Sequence, residues 1–225
     1  MREDLLKQIE IKYGRAYTNA LKFTMNAEGL FANHSDDKGG MTYQGIARVY
    51  NGRWEGWKII DKYLQQFPEL NTPFKKPPVS VERLNKILSE DTTLGMLVFD
   101  YYYANYFVKS GAKSISEYSQ KIAIIMFDIA TLQGIRRAGK TLQRLLNRYY
   151  NANLIVDGDF GKNSLNALVD NLQNPKIGEE ELTSQLLLEM SDNLVEASKI
   201  NGNIVFLKGW MARTQNLRNY LRLLK

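Results

Sequence analysis

The sequence contains no cysteine and a single histidine, His34. Without cysteine the chain can form neither a disulfide nor a thiolate metal site. A histidine-based zinc site or a Ser-His-Asp triad is nearly excluded as well, because each would rest on His34 alone. We expect His34 to be an ordinary exposed loop residue. The sequence therefore predicts no metal and no cofactor.

Long apolar runs are absent too. No segment approaches the roughly 18 apolar residues that indicate a membrane span. The N-terminal segment is charged and amphipathic and lacks the apolar core of a signal peptide. We therefore expect synthesis in the cytoplasm without a signal peptide and no stable membrane insertion. The sequence leaves the oligomeric state open, and a monomer is favoured.

Positive charge exceeds negative charge along the chain. There are 30 lysines and arginines against 24 acids, which gives a net charge of +6. A basic balance favours polyanionic partners such as cell-wall polymers, nucleic acids or acidic lipid surfaces. Residues 129–156 contain no acid, and four basic residues recur there on one predicted helix face: Arg136, Lys140, Arg144 and Arg148. Such a stripe could neutralise phosphates, but a solvated face is its commoner meaning, so no nucleic-acid partner is predicted.

Apolar residues recur at helical spacing through most of the chain, which predicts a mainly α fold. The clearest periods cover residues 3–28, 55–67, 81–106, 117–133, 135–150 and 204–224. Four of the five prolines lie within residues 68–78, so that segment is predicted to be a linker. Residues 29–46 are rich in Asn, Asp and Gly, which predicts a loop or a short hairpin around Gly39-Gly40. In the last period, the face with Leu207, Trp210 and Met211 is expected to be core.

Residues 28–46 combine acids, glycines and a hydroxyl in a distinctive order. The key positions are Glu28-Gly29, Phe31, Asn33, Asp37, Gly39-Gly40, Thr42 and Gly45-Ile46. This order resembles the signature of glycoside hydrolase family 108. The departures are Leu30 in place of a second glycine, and Ser35 and Lys38 in place of prolines. They make the loop less rigid than the family's but leave the chemically active positions filled.

The resemblance implies a lysozyme-like helical fold in which a short loop or hairpin bears part of the active site. Members of this family cleave peptidoglycan as N-acetylmuramidases, and early members were described as secretion activators. The implied reaction is hydrolysis of the β-1,4 bond between N-acetylmuramic acid and N-acetylglucosamine. The implied partner is the peptidoglycan glycan strand, which the chain would reach only after export or release by another component.

Glu28 has the chemistry that such a reaction needs. Glycoside hydrolysis requires a carboxylic acid that is still protonated near neutral pH. Glu28 lies at the predicted end of the first helix, which Gly29 would terminate, and the partial negative charge of a helix C-terminus disfavours a carboxylate. Met25, Leu30 and Phe31 could add desolvation, which acts in the same direction. We therefore predict that Glu28 is the general acid.

The remaining site residues follow from the resemblance. Phage lysozymes keep Glu, Asp and Thr in this order, with Asp and Thr serving the attacking water. Asp37 and Thr42 are therefore the other implied catalytic residues, with Asp36 as a rival for the role of Asp37. Tyr102 belongs to an aromatic-rich segment, and sugar rings can rest on such side chains. Substrate binding is assigned to Asn33, Asp36, Tyr43 and Tyr102.

The second half resembles the region that the family uses for peptidoglycan binding. The resemblance rests on residues 157–168 and 202–213. It predicts a catalytic half over residues 1–110 and a helical binding half over residues 111–225, packed into the same fold. For residues 157–168, a turn followed by a helix start is the plainer interpretation. Two other functions stay open: a non-catalytic peptidoglycan-binding module, and a basic helical nucleic-acid-binding protein.

Overall fold

The computed structural model describes residues 2–25, 30–37, 39–200 and 203–224. The chain forms two compact units, and each is assembled from two separate stretches of sequence. Unit 1 contains Met1–Lys12 and Thr24–Tyr102, whereas unit 2 contains Tyr13–Phe23 and Tyr103–Lys225. The catalytic and binding halves inferred from the sequence, residues 1–110 and 111–225, stay a prediction.

Most of the described chain is α-helical, so the predicted mainly α fold is confirmed. The helices are α1 (Glu3–Tyr13), α2 (Arg15–Thr24), α3 (Gly56–Leu64), α4 (Ser80–Glu90), α5 (Thr92–Tyr102), α6 (Ala112–Ile115), α7 (Gln120–Gln133), α8 (Ile135–Tyr150), α9 (Lys162–Leu172), α10 (Gly178–Ser198) and α11 (Ile204–Leu223). A short hairpin pairs β1 (Thr42–Tyr43) with β2 (Ile46–Ala47). A 3-10 turn covers Pro68–Asn71 and a π-helical turn covers Tyr103–Phe107. Within the described part of the chain, no helix has the length and apolar character needed to cross a membrane.

The first helical period, predicted to run unbroken over residues 3–28, is divided into α1 and α2. Gly14 separates them and takes the left-handed backbone conformation, with a φ of +86°. Glycine adopts this conformation without the steric cost that a Cβ adds, so it ends α1. The prediction of one helix is therefore wrong. The end of that predicted helix, which includes Glu28, lies outside the described residues.

The period over residues 81–106 is also divided, and Asp91 is the cause. Asp91 follows α4 in an extended conformation, with a ψ of 107°. Its carboxylate accepts a hydrogen bond from the backbone N–H of Leu94 at 2.8 Å, as expected of a residue that caps the N-terminus of a helix. Asp91 thus ends α4 and begins α5.

The hairpin of unit 1 lies at residues 42–47 rather than around Gly39-Gly40, where the sequence predicts it. Its turn consists of Gln44 and Gly45, which both have a positive φ, +44° and +78°. Two such central residues are typical of the type I′ turn, which matches the twist of the flanking strands. Glutamine is an unusual first residue for this turn, which explains why the sequence pattern does not show it.

Helix α7 forms the centre of unit 2. Residues 122–130 are all buried, in keeping with the nearly continuous apolar run there. Helices α6, α8 and α10 pack against it. Tyr17 of α2 contacts the rings of Phe107 and Phe127, with centroid distances of 5.0 and 5.8 Å. These contacts explain why the short stretch Tyr13–Phe23 belongs to unit 2.

Two long helices of unit 2 differ from the prediction, as does the short helix α6, which is not predicted. Helix α10 is not predicted, although Leu182, Leu186 and Met190 are buried on it at four-residue spacing. Helix α11 is predicted, but the first half of its apolar face is not core. Its buried residues are Thr214, Leu217 and Leu221, whereas Met211 is 38% exposed and Leu207 and Trp210 are half-buried.

Candidate active site

The loop at residues 30–37 is fixed by backbone hydrogen bonds to two neighbours within unit 1. Ala32 and Thr42 exchange both of their N–H···O=C bonds at 2.8 Å. On the other side, the N–H of Phe74 donates to the carbonyl of Asn33 at 2.9 Å, and the N–H of Ser35 donates to the carbonyl of Phe74 at 3.1 Å. The loop therefore runs between the hairpin and the segment around Phe74.

The buried side chain of Asn33 stabilises this loop from the interior of unit 1. Asn33 is only 2% exposed, and its side-chain amide donates to the carbonyl of Leu70 at 3.0 Å. A buried amide requires such a partner, since an unpaired polar group inside a protein is costly. The bond ties the loop to the 3-10 turn at Pro68–Asn71. Substrate binding by Asn33 stays a prediction.

Asp37 ends the loop in a turn that its own side chain stabilises. Its carboxylate Oδ1 accepts the N–H of Gly39 at 2.8 Å, and its carbonyl accepts the N–H of Gly40 at 3.1 Å. This arrangement is an Asx-turn. Gly39 is buried, and a Cβ there would lie 3.0 Å from the Cβ of Ala47. The side chain of Asp37 is exposed, and its Oδ2 accepts no hydrogen bond from the described residues.

Asp36 points into solvent, with 77% of its side chain exposed. Its backbone N–H donates to Nδ1 of His34 at 3.2 Å, while Nε2 of His34 lies 3.0 Å from the carbonyl of Lys75. Because Nδ1 accepts a hydrogen bond, Nε2 is the ring nitrogen that can donate to the Lys75 carbonyl. His34 therefore shapes the turn that carries Asp36.

Thr42 and Tyr43 form the first strand of the hairpin. The hydroxyl of Thr42 donates to the carbonyl of Gly40 at 3.3 Å. Because the N–H of Gly40 donates to Asp37, this one glycine links the Asp37 turn to the Thr42 hydroxyl. Tyr43 is fully buried, its hydroxyl accepts a hydrogen bond from the Gln44 amide at 3.2 Å, and burial raises the pKa of that hydroxyl.

A cavity of about 520 Å³ opens in unit 1 beside the hairpin. The hairpin contributes Tyr43 and Gln44. Helices α1, α4 and α5 contribute apolar side chains, among them Leu5, Leu88 and Phe99, and besides Gln44 the polar part of the wall consists of Arg2, Ser89 and Glu90. Met25 and Leu30, which flank the undescribed residues 26–29, also line the cavity. Apolar walls favour the protonated form of a carboxyl group, because they stabilise a charge poorly.

Tyr102 holds the hairpin turn in place. Its ring is 4% exposed, and its hydroxyl donates to the carbonyl of Gln44 at 2.8 Å. Gln44 is one of the two turn residues with positive φ, so this bond fixes the most constrained part of the hairpin. Substrate binding by Tyr102 stays a prediction.

Asn51 is the centre of a hydrogen-bond network with aromatic side chains that the sequence did not predict. The side-chain oxygen of Asn51 accepts the hydroxyl of Tyr101 at 2.9 Å, and its carbonyl accepts the indole N–H of Trp57 at 2.9 Å. Its amide nitrogen donates to the carbonyl of Ala47 at 3.0 Å. Asn51 thus links β2, α3 and α5. The sequence feature that could have revealed this network is the density of tryptophan and tyrosine around an asparagine in residues 48–57.

The structure brings part of the predicted site together. Asp37 and Thr42 share one hydrogen-bonded turn. Asn33 and Tyr102 are buried, and their hydrogen bonds stabilise the loop and the hairpin. Glu28, the predicted general acid, lies outside the described residues.

Comparison with known protein families identifies the family to which the chain with this loop and hairpin belongs. The sequence profile of glycosyl hydrolase 108 matches residues 21–134, about half of the chain. The chain belongs to the glycosyl hydrolase 108 family. The matched stretch contains Glu28, Asp37 and Thr42, together with the residues predicted to bind substrate. Family membership makes the chain a glycoside hydrolase by class, with a glycan as its class of substrate.

A solved structure supports the fold of this glycosyl hydrolase 108 member. The chain is similar to the structure of Brucella abortus SagA, with 21% identity and a TM-score of 0.56. The similarity covers 91% of this chain and 92% of that chain. At this identity the likeness shows a shared fold, and the predicted lysozyme-like, mainly α fold is confirmed. No curated protein matches the sequence.

The second half of this family member carries the 157–168 stretch, which is a turn followed by α9, as the plainer interpretation predicts. Buried Gln143 of α8 holds the turn: its side-chain oxygen accepts the N–H of Gly158 at 2.9 Å, and its amide donates to Asp157 at 2.9 Å. These contacts, with the N–H of Asp159, hold the pKa of Asp157 below its usual range. A Cβ on Gly139 would lie 2.1 Å from the carbonyl oxygen of Gly158, so α8 and the turn touch through glycines.

The basic stripe on α8 is partly neutralised within unit 2. Arg148 forms an ion pair with Glu189 of α10 at 2.7 Å. This acid comes from another helix, because residues 129–156 contain none. Arg136 donates to the carbonyl of Asp157 at 3.1 Å, and Arg144 lies 3.5 Å from the side-chain oxygen of Asn193. Three of the four residues of the stripe therefore have a partner within unit 2, and all three remain exposed.

Proposed function

We propose that this glycosyl hydrolase 108 member hydrolyses the β-1,4 bond between N-acetylmuramic acid and N-acetylglucosamine in peptidoglycan. The observation that carries the proposal is the Asp37–Gly40–Thr42 arrangement within the stretch that matches the family. A carboxylate and a hydroxyl are held there by one hydrogen-bonded turn, and both keep oxygen lone pairs that can accept a hydrogen bond from water. Glycoside hydrolysis by single displacement needs a carboxylate that activates a water, together with an acid, and the hydroxyl can help to orient that water.

Glu28 is the general acid in this proposal. It would donate a proton to the glycosidic oxygen as the bond to the sugar breaks. Met25 and Leu30, which flank the segment of Glu28, line the partly apolar cavity of about 520 Å³. The reaction consumes the protonated form of this carboxyl group, and apolar surroundings favour that form.

Asp37 and Thr42 hold the attacking water in this proposal. Oδ1 of Asp37 accepts the Gly39 N–H, which leaves Oδ2 to accept one proton of the water. The Thr42 hydroxyl donates to the Gly40 carbonyl, which leaves its lone pairs to accept a hydrogen bond from the other O–H of the water, while Asp37 takes the proton that the water loses. The oxygen lone pair of the water then faces the sugar. Asp36 is the weaker candidate because its carboxylate contacts Ser35 and His34 rather than the turn that links Asp37 to Thr42.

Unit 2 would help to hold the polymer. Two neighbouring polar cavities of about 460 and 480 Å³ share Asn153, Leu154 and Asn163. Their other lining residues include Asn166 and Asn171, so amide groups predominate. Amides can donate and accept at once, which suits the hydroxyl and acetamido groups of a glycan. We also propose that another component carries the chain to the wall.

Mass spectrometry of fragments released from purified sacculi tests the proposed bond. The expected fragments end in a reducing muramic acid. A reducing glucosamine would assign the activity to the other glycosidic bond, and free peptide amines would exclude glycan cleavage. If the protein sediments with the sacculi but releases no fragment, the chain is a binding module rather than an enzyme.

A further inference from the structure

Unit 2 contains a small cavity that takes no part in the proposed hydrolysis. It has a volume of about 270 Å³ and lies between the start of α7, the first half of α10 and the end of α11. Pockets for drug-sized ligands are typically ~300–1,000 Å³. This cavity therefore suits the end of a flexible molecule rather than a sugar polymer.

Positive charge predominates around the cavity. Lys121, Arg218 and Arg222 line it together with one acid, Glu180. Lys121 forms an ion pair with Glu180, which neutralises both. Neither Arg218 nor Arg222 has a hydrogen-bond or ion-pair partner among the residues that the structure describes. Two guanidinium groups are thus available, and guanidinium recognises a carboxylate or phosphate through paired hydrogen bonds.

A buried hydroxyl beside the cavity also lacks a partner. Thr183 lines the cavity and is 5% exposed. Its hydroxyl oxygen is buried without a hydrogen-bond partner in the described part of the chain. A buried hydroxyl without a partner is costly, so such a group calls for an explanation, and a bound polar ligand is one. Ser184 adds a second hydroxyl to the lining.

The remaining wall is aliphatic. It consists of Leu187, Leu188 and Leu221, and two of these are almost fully buried while Leu188 is 51% exposed. An inorganic phosphate would gain nothing from leucine side chains, whereas an aliphatic body would be removed from water there. A free fatty acid would in turn leave the two hydroxyls unused. Hydroxyls, guanidinium groups and an aliphatic wall together match a peptide end with small apolar side chains.

We propose that this cavity binds the terminal carboxylate of a short aliphatic peptide. Arg218 and Arg222 hold the carboxylate, the leucines contact the side chain, and Thr183 and Ser184 serve the peptide groups. The site lies on helices of unit 2 only, and it does not depend on the proposed glycan hydrolysis. Its test measures binding alone, so a failure of either proposal leaves the other intact.

Isothermal titration calorimetry of the full chain with N-acetyl-alanyl-alanine tests the site. Arg218→Gln/Arg222→Gln should weaken binding about tenfold or more, because hydrogen bonds to a charged group are lost. Arg15→Gln/Arg137→Gln removes the same charge from exposed positions of unit 2 and should change the affinity less than about twofold. Circular dichroism confirms that each variant is folded, and the single Arg218→Gln variant serves if the double variant is not.

Three further measurements decide the chemistry. The peptide with an amidated C-terminus should bind about tenfold more weakly or not at all. Thr183→Val should weaken binding while leaving the melting temperature unchanged or raised, since it removes an unpartnered hydroxyl. Equal binding of the amide, of butyrate or of phosphate would overturn the proposal, as would equal affinity of the two double-arginine variants.

Discussion

Arg213 of α11 forms an ion pair with Asp128, which is fully buried in the middle of α7. Nη2 of the guanidinium group lies 2.6 Å from Oδ1, and Nε lies 3.4 Å from Oδ2. The guanidinium group also lies over the ring of Phe23, 5.3 Å from its centroid. Arg213 is the last residue of the 202–213 stretch, which resembles part of the family's peptidoglycan-binding region. The arginine of that stretch therefore neutralises a carboxylate in the central helix of unit 2.

Replacing Arg213 by methionine should lower the free energy of unfolding by about 3–5 kcal/mol, because Asp128 would lose its buried counter-ion. Urea denaturation measures the loss. Arg137→Met, at an exposed position of α8, is the matched control and should have little effect. The double variant Asp128→Leu/Arg213→Met should recover most of the lost stability. A loss below ~1 kcal/mol in Arg213→Met would show that the ion pair is not needed.

Glu28→Gln should lower the rate of peptidoglycan lysis by about 10²–10⁴-fold while leaving fold and wall binding intact, because only the donated proton is removed. Turbidity clearing of purified sacculi gives the rate. Glu82→Gln, an exposed glutamate on α4, provides the control for a lost carboxylate. If Glu28→Gln retained more than about a tenth of the parent rate, Glu28 would not be the acid.

Asp37→Asn and Asp36→Asn separate the two neighbouring candidates for the water-binding carboxylate. An asparagine at position 37 can still accept the Gly39 N–H, so the turn should survive while the proton acceptor is lost. We expect about a 10²-fold loss of lysis for Asp37→Asn and less than about a threefold change for Asp36→Asn. The reverse order would assign the role to Asp36.

The arrangement of Asp37 and Thr42 around a water predicts single displacement with inversion. In inverting enzymes the two carboxyl groups stand roughly 6.5–9.5 Å apart to admit the water, whereas a direct nucleophile requires about 5–5.5 Å. Proton NMR of the first reducing ends decides the outcome. Since the cleaved bond is β, inversion gives the α-anomer first. Early appearance of the β-anomer would be incompatible with this mechanism.

Asp157 should make the stability of unit 2 depend on pH. The Gln143 amide, followed by the N–H of Asp159, holds the pKa of Asp157 below its usual value. A lowered folded-state pKa stabilises the protein above the unfolded value of about 3.9, and this stabilisation is lost as the pH falls through the lower folded value. Asp157→Asn should therefore lower the melting temperature at neutral pH, and the difference should shrink in acid. Asp170→Asn is the exposed control, and a difference that does not change with pH would contradict the assignment.

Strong periodicity with glycine punctuation made several helices predictable. Gly134, with a φ of +95°, ends α7 and precedes α8, at the boundary that the sequence predicts. Gly14 acts in the same way, but a glycine inside a long apolar pattern does not by itself reveal a helix end. The break at Asp91 depends on one side-chain hydrogen bond that interrupts an otherwise continuous pattern. The helix boundaries that the sequence did not predict are therefore determined by local capping interactions more than by hydrophobic spacing.

The candidate site was predictable only where its residues are close in sequence. Asp37, Gly40 and Thr42 lie within one turn, so the order of residue types is enough to group them. The Tyr101–Asn51 hydrogen bond joins residues that are 50 positions apart, and no local pattern contains it. For the same reason the acid that pairs with Arg148, Glu189 on α10, was invisible when that helix was not predicted.

The assignment of Tyr13–Phe23 to unit 2 has a consequence for how the protein can be divided. Unit 1 is interrupted by this stretch, and unit 2 is completed by it. No single cut of the polypeptide therefore yields both units intact. A fragment that starts at Tyr103 would lack Tyr17, which packs against Phe107 and Phe127. During synthesis, residues 13–23 leave the ribosome long before their partners, so unit 2 can close its core only after all of unit 1 has been made.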